Sequence, residues 1–245
     1  MRVFYDFHLH SCLSPCGSDD MTPNNLVNMA RLLGYDVIAL TDHNSCLNTP
    51  AAVQVGQKAG VLVIPGMELC TREEAHVVCL FPNVGAAMEF NRYVAAHGHG
   101  HRNRPEIFGE QWIMDENDSI VGKEESLLLD AADIGAGEAA DKARSLGGTA
   151  FPAHVDRSSY SVISSLGSLP EEAKFTAVEI SRRGDVRQVL KANPELNGKL
   201  LLFDSDAHRL EDMPEPRAWL ELPEKTPECL ISVLNGERET VSGNG

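Results

Sequence analysis

Phe4-Tyr5-Asp6-Phe7-His8-Leu9-His10 is the stretch on which the reading of this chain turns. Val3 to Phe7 is short, apolar and aromatic, as a buried strand is, and it runs straight into two histidines. Alternate side chains of a strand share a face, so His8 and His10 leave the strand end together. Neutral imidazole is a borderline ligand for Zn, Mn or Fe, and two imidazoles on one side can share an ion. Taken alone, an HxH pair reads first as two surface or core histidines. The other strand ends of the chain change that reading.

Thr22 and Pro23 read as N-cap and first helical residue of a helix whose apolar face (Leu26, Val27, Met29, Ala30, Leu33) stops at Gly34. Asp36 to Leu40 is a second strand ending in Thr41, Asp42, His43, and Thr49 to Ala59 is a helix ended by Gly60. Val61 to Ile64 is a third strand, leading through Pro65 and Gly66 to Glu68. His76 precedes a fourth, Val77 to Phe81, with a helix over Val84 to Ala96 behind it. Further on, a helix over Ala139 to Leu146 precedes the strand Thr149 to Pro152, which delivers His154. Ala177 to Ile180 comes next, then Leu200 to Phe203, which delivers Asp204, Asp206 and His208; Trp219 to Leu222 reads as an edge strand and Pro227 to Leu234 as a closing helix. This alternation predicts a parallel sheet with right-handed crossovers. It breaks between His97 and Asp133, where a basic, glycine-rich HGHGHRNR precedes two short strands joined by a turn at Glu116, Asn117 and Asp118. Residues 97–133 are therefore expected to be a loop and hairpin insertion that covers one face and shapes substrate choice.

The strand ends choose between an open sheet and a closed barrel. A barrel points every strand's C-terminal end at one rim, where His8, His10, His43, Glu68, His154, Asp206 and His208 would converge from across the whole chain. The expected architecture is thus an α/β, distorted TIM-like (β/α)7 barrel, with residues 1–245 as a single domain. A donor set rich in imidazole, with carboxylates and little thiolate, suits Zn, Mn or Fe better than Ca or Mg, and bridging carboxylates let it hold two or three divalent ions.

Composition bounds the partners. A formal net charge of -15 and a pI near 4.9 argue against a nucleic-acid groove or an anionic membrane surface. No apolar run reaches the roughly 18 residues of a membrane span, and the chain enters its first strand without a leader-like segment, so a soluble, cytoplasmic protein is expected. Six cysteines without regular spacing do not suggest a disulfide framework. No GxSxG, Walker A or GxGxxG motif is present.

FHLH, LTDHN, GMELC followed by His76, PAHVD and DSDAH, in that order, resemble the motifs of the PHP family, named for polymerase and histidinol phosphatase. The resemblance runs from His8 to His208. It implies a trinuclear metal centre, phosphoester hydrolysis, and ligands at His8, His10, His43, Glu68, His76, His154, Asp206 and His208. Where some relatives place a third histidine, six residues after the second, this chain has Cys16, with Asp19 and Asp20 as alternative ligands. A water bridging two cations would be the nucleophile, so no catalytic side chain separate from the ligands is required. Asp42 is expected to orient a ligand imidazole or to cap locally. Arg157, and Arg182 with Arg183, are candidates for gripping phosphate oxygens or are solvated surface charges, and Glu179 is expected to face the interior, paired to an arginine. The function expected is a metal-dependent phosphomonoesterase on a small phosphorylated metabolite, a nucleotide or histidinol-phosphate-like monoester, with nucleic acid and membrane not expected as partners. The alternative is a non-catalytic or partner-dependent PHP module. An amidohydrolase-like site would want a lysine at a strand exit, and none is found.

Overall fold

The computed structural model describes residues 1–98 and 100–244. His99, the middle histidine of HGHGH, lies outside the described residues. The strands are β1 (Arg2–Leu9), β2 (Val37–Leu40), β3 (Leu62–Cys70), β4 (His76–Leu80), β5 (Trp112–Met114), β6 (Ile120–Lys123), β7 (Thr149–Pro152), β8 (Ala177–Glu179), β9 (Leu200–Leu202), β10 (Ala218–Glu221) and β11 (Ser242–Asn244). Helices α1 (Pro23–Leu33), α2 (Thr49–Ala59), α3 (Val84–Ala95), α4 (Pro105–Phe108), α5 (Ala136–Ser145), α6 (Val162–Leu166), α7 (Val186–Ala192) and α8 (Pro227–Leu234) accompany them. Helix α1 matches its sequence signals closely. The Thr22 hydroxyl accepts from the Asn25 N–H, Leu26, Val27 and Ala30 are buried, and Gly34 takes the left-handed conformation that lets its N–H reach the Ala30 and Arg31 carbonyls.

The sheet differs from the expected one in two ways. It holds seven strands in the order β11-β10-β1-β2-β3-β4-β7, and β8 pairs only with β9, so the fold is a curled, mixed α/β sheet and the ladder does not close into a full barrel. Lone contacts cross the two gaps. The Val155 N–H reaches the Glu179 carbonyl at 2.9 Å, and the His10 N–H reaches the Ala207 carbonyl at 3.1 Å. Carboxylates occupy the second gap: Asp204 accepts from the Phe7 N–H (2.6 Å) and Asp6 from the Ser205 N–H (3.2 Å). Those side chains satisfy backbone donors that a ladder would otherwise have used.

The second difference is strand direction. β1, β2 and β3 run parallel, but β4 is antiparallel to β3, and β7 antiparallel to β4. Because β4 is reversed, its first residue, His76, sits at the rim where β3 ends. β7 is reversed again, so its exit at His154 returns to the same rim. β3 is also longer than its apolar core suggests, and runs through Pro65 and Gly66 without turning. Leu62 to Pro65 pair with β2, and Gly66 to Cys70 pair with β4. Gly66 allows this change of partner, since a Cβ there would lie 2.7 Å from Leu80 Cδ2, 2.9 Å from the Cys79 carbonyl oxygen and 2.9 Å from Thr41 Cγ2.

Residues 97–133 contain the expected hairpin, with β5 antiparallel to β6. The segment is stitched to the loops at the rim rather than laid loosely over them. Asp118 accepts from the Thr22 hydroxyl (2.7 Å) and the Asn24 N–H (3.0 Å), and the Asn48 side chain bonds both the Trp112 carbonyl (3.1 Å) and the Met114 N–H (2.9 Å). Among the described residues no helix is long and apolar enough to cross a membrane.

Candidate metal centre

Strands β1, β2, β3, β4, β7 and β9 each bring one or two donors to the rim. The pairing of β1 with β2 shifts register between Asp6 and Leu9, an irregularity of the kind that re-aims side chains beside sites, and the His8 and His10 rings lie 5.1 Å apart. Glu68, buried in β3, is the hub. Its Oε1 lies 3.1 Å from His8 Nε2, 2.7 Å from His76 Nδ1 and 3.3 Å from His154 Nε2, and its Oε2 lies 3.3 Å from His10 Nε2 and 2.9 Å from His43 Nδ1. Asp206 Oδ1 approaches His8 Nε2 (3.4 Å), His10 Nε2 (3.1 Å) and His208 Nδ1 (3.6 Å). His154 and Asp206 hold φ values of 29° and 54°. Such left-handed backbone is costly for non-glycine residues and is tolerated where the surroundings enforce it, commonly at functional sites.

The structure therefore brings together His8, His10, His43, Glu68, His76, His154, Asp206 and His208. Three groups have donor atoms within 4.8 Å of one another: His10, His43 and His208; His8, His10, Glu68 and Asp206; and His43, Glu68 and His76. The inward atoms His8 Nε2, His10 Nε2, His43 Nδ1, His76 Nδ1, Glu68 Oε2 and Asp206 Oδ1 are buried without a hydrogen-bond partner. Buried polar atoms are costly to leave so, and cations shared among them would satisfy them. The donor set fits transition-metal ions of the Zn, Mn or Fe class.

Electrostatics within the cluster reflect the same crowding. Burial works against charging His8, yet the Glu68, Glu179 and Asp206 carboxylates hold it well above the usual imidazole range. Burial and the neighbouring His10 push His43 down to about 4, and burial and His10 push His208 down to about 3. Burial would raise Glu68, but the surrounding His76, His8 and His43 hold it well below the carboxylate range. One hub carboxylate thus faces more imidazole than it can charge.

Outward-facing ring nitrogens are held by partners. His8 Nδ1 lies 2.7 Å from the buried Glu179 Oε2, so Glu179 faces the interior as expected but meets a histidine instead of an arginine. His10 Nδ1 lies 3.0 Å from Ser14 Oγ, which in turn donates to Asp42 Oδ1 at 2.7 Å. Asp42 also accepts from the Ser11 N–H and hydroxyl, so it acts on His10 through a serine and touches no imidazole. Neither Ser14 nor Glu179 is a ligand candidate by sequence, because a serine in a polar loop and a glutamate in a strand carry no distinguishing pattern. Tyr160 is also unmarked in the sequence. Its exposed ring lies 5.0 Å from that of His76, and its carbonyl accepts the His76 N–H.

The remaining candidates lie outside the three donor groups. Arg157 donates to Asp206 Oδ2 at 2.7 Å. Arg182 donates to the Glu215 carbonyl at 3.2 Å. Cys16 is exposed and belongs to none of the three compact donor groups, and Asp19 and Asp20 are exposed as well. The loop carrying Cys16 does turn back over the rim, with the Gly17 N–H on the Ser14 carbonyl (2.8 Å) and the Ser18 N–H on the His208 carbonyl (2.9 Å). Atoms packed beneath the thiol, and then the Glu68 and Asp206 carboxylates, push Cys16 up to about 12.

Comparison with known proteins places this cluster in a family. The chain is 42% identical over 64 residues to the DNA polymerase III PolC-type of Bacillus cereus, a match covering 26% of this chain and 4% of that protein. Its fold is similar to the lesion-specific endonuclease PfuEndoQ of Pyrococcus furiosus, with a TM-score of 0.71, 20% identity, and cover of 99% of this chain and 58% of that one. Endonuclease Q is also similar when bound to a 27-mer duplex with an abasic lesion at its active site (TM-score 0.67, 20% identity, 98% and 58% covered). A metal-dependent phosphoesterase of Bifidobacterium adolescentis superposes with a TM-score of 0.61 at 16% identity, over 94% of this chain and 95% of that one. The chain spans a small fraction of the polymerase and less than two thirds of the endonuclease. The likeness to endonuclease Q, solved in complex with a DNA duplex, corrects the expectation of a small phosphorylated partner and of no nucleic acid. A charge of -15 sums the whole surface, whereas a phosphate responds to groups within about 8 Å at physiological salt. The model for the PHP domain matches residues 6–133, the span that carries His8, His10, His43, Glu68 and His76, and with more than half its length so matched the chain belongs to the PHP domain family.

Proposed function

We propose that this cluster hydrolyses phosphoester bonds with two or three transition-metal ions, and that the phosphate it acts on belongs to a nucleic-acid strand. The observation that carries the proposal is the Glu68 and Asp206 hub, two carboxylates facing imidazoles from five segments, with their inward atoms buried and unpartnered. Ions held there would neutralise phosphoryl oxygens and supply a nucleophile from water near neutral pH. The chain's own residues prepare that chemistry. Glu179 accepts the His8 Nδ1 proton and Ser14 accepts that of His10, which leaves both Nε2 lone pairs facing inward. Arg157 steadies Asp206 with one nitrogen, and its half-exposed guanidinium would contact a phosphate bound at that carboxylate. Cys16, in the loop that folds over His10 and His208, is the further candidate ligand.

The nucleic-acid reading draws on the likeness to endonuclease Q and the exposed Tyr160 ring beside His76, a surface on which an unpaired base could stack. The test is incubation of protein loaded with Mn, Zn or Fe with end-labelled single- and double-stranded oligonucleotides, intact and carrying an abasic site. Metal-dependent strand scission, lost in Glu68→Gln, is the expected result. Phosphate release from nucleotides or histidinol phosphate without strand scission would overturn the nucleic-acid reading. Metal binding with no hydrolysis of any phosphoester would favour the non-catalytic module.

A further inference from the structure

Between the exit of β8 and the start of β10 lies a cleft of about 240 Å³ lined by Arg182, Arg183, Arg217 and Asn244. Three of its four lining residues are guanidinium groups, in a chain carrying 36 acidic residues against 21 basic ones. Among the described residues no carboxylate lies within 4.0 Å of any of the three, although most other arginines of this surface do have such a partner (Arg72, Arg102, Arg104, Arg144, Arg157, Arg209). Arg182 is held by the neutral Glu215 carbonyl, which fixes its direction without cancelling its charge. Arg183 and Arg217 are exposed. Like charges converging without a counter-charge are unfavourable, and the arrangement fits an anion that occupies the cleft in the working complex.

The cleft connects to the metal centre through short contacts. Arg157 bonds Asp206, and the adjacent Asp156 Oδ1 accepts the Ser181 N–H at 2.8 Å, which joins the Arg157 loop to the segment carrying Arg182 and Arg183. That segment leaves β8 just after Glu179, the partner of His8. Arg217 enters from the other side, at the start of β10, next to Ala218, which pairs with Asn244.

We propose that Arg182, Arg183 and Arg217 form a second phosphate site, which holds a backbone phosphate of the polynucleotide away from the bond being cut. This rests on the nucleic-acid reading above. The cleft would set how the strand lies across the rim, while the metal centre selects the bond. A free inorganic phosphate or a nucleotide phosphate shares the same chemistry, so the test must separate them from a strand.

The experiment measures binding of a fluorescein-labelled single-stranded 20-mer to the metal-loaded protein by anisotropy over a series of salt concentrations. It compares the native chain with Arg183→Ala/Arg217→Ala and Arg183→Lys/Arg217→Lys, with metal content checked in each. Loss of two phosphate contacts should weaken binding about tenfold at low salt and reduce the slope of log K against log salt by about 1.4, with the lysine pair restoring most of the slope. Unchanged affinity and slope in the alanine pair, with native strand scission intact, would overturn the second site and leave the proposed function standing. If the native chain binds no oligonucleotide, but inorganic phosphate binds it and not the alanine pair, the nucleic-acid reading fails and the cleft is a free-phosphate site.

Discussion

Ser14 shows how much of this centre depends on residues that would never hold a metal. Its hydroxyl stands between His10 Nδ1 and the buried Asp42, and also accepts the His43 N–H at 3.2 Å. Ser14→Ala should therefore loosen both the His10 imidazole and the main chain that carries His43, and Asp42→Asn should weaken the same relay. Each is expected to reduce metal affinity about 10- to 100-fold with the fold retained, measured by competition against a chromophoric chelator. Cys16 makes a separate case. Its loop is tied at Gly17 and Ser18 to Ser14 and His208, and the Glu68 and Asp206 carboxylates act on its thiol. A cation beside it would reverse that upward push and hold the thiolate. Cys16→Ser is expected to lower the metal count by one ion, while Asp19→Asn and Asp20→Asn leave it unchanged; elemental analysis of the three proteins decides, and loss of an ion only in the aspartate variants would make the thiol a bystander.

At the scale of elements, strand positions were legible because short apolar runs bounded by glycine, proline and charge have few other uses. The strand directions were not legible. The turn between β3 and β4, Thr71 to Ala75, contains none of the glycine or asparagine that marks a hairpin, and Pro65-Gly66 imitates a turn inside a continuous strand. Gly66→Ala tests that continuity: the new methyl meets the Cys79 carbonyl and Thr41, which should cost about 1–3 kcal/mol and lower the melting temperature by about 2–8 °C. The 97–133 segment reads in sequence as a removable cover and is in fact wired to the rim. Asn44, next to His43 and at φ 47°, donates to the Leu128 and Asp130 carbonyls and accepts the Cys70 N–H. Asn44→Ala should destabilise the protein by about 2 kcal/mol and speed amide exchange around residues 127–132, whereas a free cover would show neither effect.

Over the whole molecule, the eight histidine and carboxylate candidates were legible because each lies at or near the end of a strand, and any sheet that gathers those ends at one rim gathers them too. Of their supports, Ser14 was hidden, and Glu179 was read as facing the interior but with an arginine in place of His8, because common residue types reveal their partner only through contact. The partner was misread for a different reason: net charge is a property of the entire surface and does not see that Arg182, Arg183 and Arg217 line one cleft. Metal should stabilise the chain strongly, since only the folded state presents the cluster. At a metal concentration 1,000 times Kd the gain is about 4 kcal/mol, so stripping with a chelator should lower the melting temperature and re-addition of Mn or Zn should restore it. If the melting temperature is indifferent to chelator, the cluster holds no ion. The donors of one group, His8, Glu68 and Asp206, span roughly 200 residues, so a single ion closes one of the longest loops this chain can form, as a cross-link would. During synthesis the ion shared by His8, Glu68 and Asp206 could not be fully ligated until Asp206 has left the ribosome, so a chain cut short of Asp206 would be unable to complete that group.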